Sequence, residues 1–169
     1  KLSELLNTDY MGINQAKEGL MQREEARQRS IEIVQAAGFD LEQMPYVSLG
    51  SKGGWNGWEV RVSQIPGDEQ RTPGVMLDLA NDGAVRYMEY LGEPTEAAIG
   101  AAISEQRAQE IALAFMTQYV DAEGEAACTA QAEDSHWKVT FEGQADQQPC
   151  EVWIDNQTGA VLLVETFTR

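Results

Sequence analysis

The sequence predicts an α+β fold made of two tandem repeats, each a helix packed on a three- to four-stranded antiparallel sheet. Three observations predict it. First, the last third of the chain alternates. Trp137, Val139 and Phe141 interleave with Lys138, Thr140 and Glu142, and Cys150, Val152 and Ile154 interleave with Glu151, Trp153 and Asp155. Successive side chains on a strand point to opposite faces, so each run has one apolar and one wet face. Second, an earlier version of this pattern lies upstream. Trp58, Val60 and Val62 match Trp137, Val139 and Phe141 at an offset of 79. Val75, Leu77 and Asp78 match Val152, Ile154 and Asp155 at 77, and Gly83-Ala84-Val85 matches Gly159-Ala160-Val161 at 76. The drift falls in loops, which tolerate length changes, and the Asp-to-Gly turn reads as one residue longer in the first copy. Third, a helical pattern precedes each copy: Arg29 and Glu32-Ile33 match Arg107 and Glu110-Ile111 at an offset of 78. A period this long predicts two small domains rather than a solenoid of short units.

The predicted division is a helical lead over residues 1–22, a first repeat over 23–92 and a second over 93–169. In the lead, Ile13, Ala16, Leu20 and Met21 keep helical spacing, and Gly12 and Gly19 weaken it by about 1 kcal/mol each. Two placements suit this segment: packed on the first repeat, or the end of a helical region further upstream. An apolar stripe continues through Ala26, Ser30, Ile33 and Val34 to Ala37, and Gly38 is placed to stop the helix. Pro45 favours extended geometry, and Tyr46, Val47 and Leu49 follow as a first strand. The tract Ser51-Lys52-Gly53-Gly54-Trp55-Asn56-Gly57 is a loop by composition, and two Pro-Gly pairs, Pro66-Gly67 and Pro73-Gly74, bracket a second. Gly92-Glu93-Pro94-Thr95 marks the boundary between repeats. Ser104 is a suitable N-cap, with Ala108, Ile111, Ala112, Phe115 and Tyr119 as the buried stripe of the second helix. Residues 126–132 supply the first strand of the second copy.

Composition bounds function. Twelve basic against 28 acidic residues leave a formal charge of −16. That opposes nucleic acid and anionic membrane surfaces, whose phosphates need lysine and arginine, and it suits a soluble surface or a cationic protein partner. No run of about 20 apolar residues is present, so this stretch has no helical membrane span.

The candidate chemistry is sparse. Cys128 and Cys150 are the two cysteines, and no CxxC occurs, which disfavours thioredoxin-like redox chemistry and zinc. They either pair as a disulfide in an oxidising compartment or remain as two buried thiols. In a plain meander the first and third strands are not neighbours, and Cα atoms more than about 7 Å apart are not bridged. His136 is the single histidine and reads as a turn residue ahead of the Trp137 strand. Asp78-x-x-Asn81-Asp82-Gly83 has a faint look of a calcium loop, but the β pattern around it makes it a turn. No P-loop, nucleophile elbow or dinucleotide fingerprint occurs, so neither a catalytic residue, a metal nor a cofactor is expected.

The second copy resembles a PepSY domain. The residues that carry the resemblance are Ile103-Ser104-Glu105 with Ala108, the Trp137 strand, and Val152-x-Ile154-Asp155-x-x-Thr158-Gly159-x-Val161. The first copy departs from the motif, since Asp82 stands where Thr158 stands. The resemblance implies a non-catalytic, extracytoplasmic protein-interaction or regulatory module, secreted or anchored to the outer face of a membrane. Its implied partner is a protein or peptide, such as a peptidase or cell-wall hydrolase. Tandem copies after a helical lead are also similar to part of a spore-germination protein that works with a cortex-lytic enzyme. The alternative function is a ligand- or peptide-sensing domain, with Trp55, Trp58 and Tyr87 lining a groove between the copies.

Overall fold

The computed structural model describes residues 20–50, 57–66, 73–93, 102–120, 127–142 and 150–166. The helical lead up to residue 19, and Trp55, lie outside the described residues. In chain order the elements are α1 (Arg23–Ala36), β1 (Tyr46–Gly50), β2 (Gly57–Ser63), β3 (Gly74–Ala80) and β4 (Val85–Leu91), then α2 (Glu105–Phe115), β5 (Cys128–Ala132), β6 (His136–Phe141), β7 (Cys150–Asp155) and β8 (Val161–Glu165). A π-helical turn, Met116–Val120, continues α2. The result is two similar units, each with one helix packed on a four-stranded antiparallel meander.

Local contacts start both helices and stop the first. The Glu25 carboxylate accepts a bond from the Gln22 N–H at 2.8 Å, satisfying a donor at the start of α1. Ser104 Oγ accepts from the Arg107 N–H at 3.2 Å, the expected cap of α2. α1 ends where Gly38 takes φ 98°, a left-handed conformation that favours glycine. The Phe39 N–H then reaches back to the Val34 carbonyl at 3.2 Å.

The two meanders join into a single eight-stranded sheet with the order β1-β2-β3-β4-β8-β7-β6-β5. The order is a palindrome of the two units, and the seam is the antiparallel pair β4–β8. There Met88 lies opposite Val164, Tyr87 opposite Glu165, and Glu89 opposite Leu163. Met88 and Val164 hold the same place in their own units: Leu77 faces Met88 in the first, and Val152 faces Val164 in the second. The units are therefore related by a local two-fold passing between Met88 and Val164, the geometry of a symmetric dimer within one chain.

The helices cover one sheet face. Ile33, Val34, Val60, Leu77, Met88, Val139, Val152 and Val164 are all shut from solvent in one shared core that runs under both helices. Each Val, Leu or Ile so placed contributes about 1.5–3 kcal/mol of burial. Polar contacts also cross between units. The Val161 N–H donates to the Ala37 carbonyl at 2.8 Å, and Arg29 Nη2 donates to the Gln118 carbonyl at 3.4 Å.

The pairing corrects three details of the repeat. The Trp58 indole N–H donates to the Met21 carbonyl at 3.0 Å, and the Trp137 indole N–H donates to the Ile103 carbonyl at 3.1 Å. Those two carbonyls each lie two residues before a helix, so the helices correspond at an offset of 82, not 78. On that offset Ala26, Ser30, Ile33, Val34 and Ala37 fall on Ala108, Ala112, Phe115, Met116 and Tyr119, and all ten are buried. The strands slipped likewise. Trp58 faces Leu79 while Trp137 faces Ile154, so Leu79 corresponds to Ile154, and Asp155 stands where Ala80 stands. The longer turn thus belongs to the second copy, not the first. A one-turn slip on a helix, or a two-residue slip on a strand, keeps the same face buried, so hydrophobic pattern alone does not detect it.

Candidate interaction surface

The alternation that buries one sheet face sets the other toward solvent. On that open face the strand registers align side chains into rows. One row runs Glu59, Asp78, Tyr87, Glu165, Glu151, each directly opposite the next. The adjacent row runs Arg61, Met76, Glu89, Leu163, Trp153, Lys138. Neighbours within a row lie about 5 Å apart, and the rows about 7 Å apart. All of these side chains are half-buried.

The electrostatics are lopsided. Glu151 and Glu165 sit directly opposite one another, as do Glu59 and Asp78. Lys138 forms an ion pair with Glu151, and that bond raises the lysine above its ordinary value. The Tyr87 hydroxyl donates to Glu89 Oε2 at 2.6 Å. Burial first, then the bond to Glu89 and the charges of Glu89, Glu165 and Asp78, push the Tyr87 phenol well above its ordinary range, so it stays a donor.

His136 is the first residue of β6 rather than a turn residue, and its ring stacks on Trp153 with centroids 4.4 Å apart. Burial pushes its protonation below the ordinary histidine value, with Lys138 acting in the same sense and Glu133 and Asp155 opposing. Ser135 Oγ stands 3.4 Å from His136 Nδ1. Trp153 Nε1 is shut from solvent and has no hydrogen-bond partner among the described residues.

The residues singled out from sequence are not brought together. Trp58 lies on the helix-covered face, with its indole tied to Met21, while Tyr87 lies on the open face. The sheet separates them. Cys128 and Cys150 are free thiols that both face Phe141, one from each side. They are two strands apart, about 10 Å, so pairing them requires the sheet to move. Burial, with the charges of Glu151 and Glu165, pushes the Cys150 thiol up to about 12 and leaves it protonated. Among the described residues no group of three histidine, cysteine or acidic side chains is arranged to hold a metal ion. The hollows on the helix side, lined by Met21, Glu25 and Arg29 in one case and Arg29, Asp82 and Thr117 in the other, contain neither histidine nor cysteine. No described helix is long and apolar enough to cross a membrane.

Sequence reasoning missed the carboxylate row. Its members were visible as the wet positions of five strands, but which of them face each other depends on pairing register and on the β4–β8 seam, which no local pattern encodes.

The comparison that bears on this architecture is structural. The Bacillus megaterium YpeB C-terminal domain superposes on the chain with a TM-score of 0.62 at 11% identity, over 87% of this chain. The chain shares its fold. It spans 63% of the length of that structure. No protein-family model and no curated protein matches the sequence.

Proposed function

We propose that this protein is a non-catalytic, extracytoplasmic interaction or regulatory module that binds or restrains a peptidase or cell-wall hydrolase. The observation that carries the reading is the sheet itself: eight strands fused across a seam, one face sealed by helices and the other left as a broad half-exposed surface. Such a surface suits a macromolecular partner, whereas a small-molecule enzyme site calls for a concave pocket with converging polar groups. The fold shared with the YpeB C-terminal domain, and the PepSY-like strand and turn residues of the second copy, support the same reading.

The test is biochemical. The immobilised chain is exposed to a bacterial extracytoplasmic fraction, and retained proteins are identified by mass spectrometry. The expected result is a peptidase or peptidoglycan hydrolase whose activity changes by severalfold when free chain is added. Retention of no such enzyme, or hydrolysis of peptide or wall substrate by the purified chain alone, contradicts the reading.

A further inference from the structure

The open face has its densest chemistry at the β4–β8 seam. The local two-fold makes Glu89 and Glu165 equivalent positions, since each lies one residue beyond the central Met88 or Val164. Each is directly opposite an apolar or aromatic neighbour, Leu163 for Glu89 and Tyr87 for Glu165. Glu151 lies opposite Glu165 on the far side, and Trp153 opposite Leu163. The seam is thus a composite of carboxylates and apolar side chains that neither unit has alone.

We propose that this seam docks a basic protein segment, one in which lysine or arginine side chains alternate with apolar ones. The inference rests on the reading of the protein as a binding module and names its surface and its partner's chemistry. Charge complementarity carries it. A cation set against Glu89 and Glu165 gains charge-assisted hydrogen bonds beside the Lys138–Glu151 pair already in the sheet, while Leu163, Trp153 and Tyr87 take the apolar side chains. Other occupants match less well. A second copy brings a chain of formal charge −16 against the same row. Residues 1–19 carry Lys1 and Lys17 against Glu4, Asp9 and Glu18, so that segment is not basic. Nucleic acid and anionic membrane are repelled.

The test uses the full chain, labelled with nitrogen-15, and a synthetic decapeptide of alternating lysine and leucine, with alternating glutamate and leucine as the control. Amide shifts confined to β4, β8 and β7 are expected, with affinity falling about tenfold between 50 and 500 mM salt as the charges are screened. The double variant Glu89→Gln/Glu165→Gln is expected to weaken binding about tenfold, and Glu24→Gln/Glu32→Gln on α1 to leave it unchanged. Circular dichroism checks that each variant is folded, and the salt series on the unaltered chain stands whatever the variants do. Shifts on the helices or on the edge strands β1 and β5 overturn the proposal. So do equal losses in both variants, absence of lysine-peptide binding at 50 mM salt, or concentration-dependent dimerisation through the seam. The two readings separate cleanly. If the Glu89→Gln/Glu165→Gln chain retains a native hydrolase as well as the parent does, the seam is wrong and the module stands. If the peptide binds the seam but no enzyme is ever retained, the seam stands and the module reading fails.

Discussion

Two indole bonds show how single residues define each unit. Trp58 and Trp137 each donate to a carbonyl just ahead of their own helix, at 3.0 and 3.1 Å. Replacing either by Phe keeps most of the packing, removes the donor and leaves a carbonyl to be satisfied, at about 1 kcal/mol. Urea unfolding of Trp58→Phe and Trp137→Phe should therefore give similar losses; a near-zero effect at one site breaks the equivalence. His136 supplies a pH signature. Its folded pKa is depressed by burial, so protonation favours the unfolded chain, and the contribution is fully present above about pH 6.5 and declines as pH falls toward the folded value. Stability measured at pH 7.5 and 5.5 should fall less in His136→Gln than in the parent, and an NMR titration should place the ring below 6.5.

At the level of elements, much of the fold was legible. The stripe from Ala26 to Ala37, the stop at Gly38, the Ser104 cap and the Trp137 strand stand where the residue patterns put them. What slipped was the correspondence between copies, by one helical turn and by two strand residues, the shifts that leave the buried face intact. The π-helical turn at Met116–Val120 was not legible, because Phe115 and Tyr119 keep ordinary helical spacing. The corrected offset makes its own predictions. Ser30 corresponds to Ala112, both fully buried, and the Ser30 hydroxyl only bonds the Ala26 carbonyl of its own helix at 2.6 Å. Ser30→Ala should be neutral or stabilising by up to about 0.5 kcal/mol in thermal or urea unfolding, because alanine is the better helix former. Gly159→Ala should be costly. Gly159 has φ 75°, and an added Cβ would stand 3.1 Å from Ile111 Cδ1, so strain and crowding together remove about 1–2 kcal/mol.

For the whole molecule, the controlling fact is that two units share one sheet and one core. The open face belongs to both, its carboxylate row crosses the seam, and the proposed docking site exists only while β4 and β8 remain paired. This was the part of the candidate site least accessible from sequence, since Tyr87, Glu89, Leu163 and Glu165 lie some 75 residues apart in the chain and meet through long-range register alone. A continuous sheet also predicts cooperative behaviour: β4 and β8 are central strands, whereas in separate domains each would be an edge. Native-state hydrogen exchange decides between these directly. The amides of Met88 and Val164, with their neighbours on β4 and β8, should be among the slowest in the chain and exchange only with global unfolding. Exchange there as fast as on the edge strands β1 and β5 would show that the seam does not hold, and the shared face would go with it.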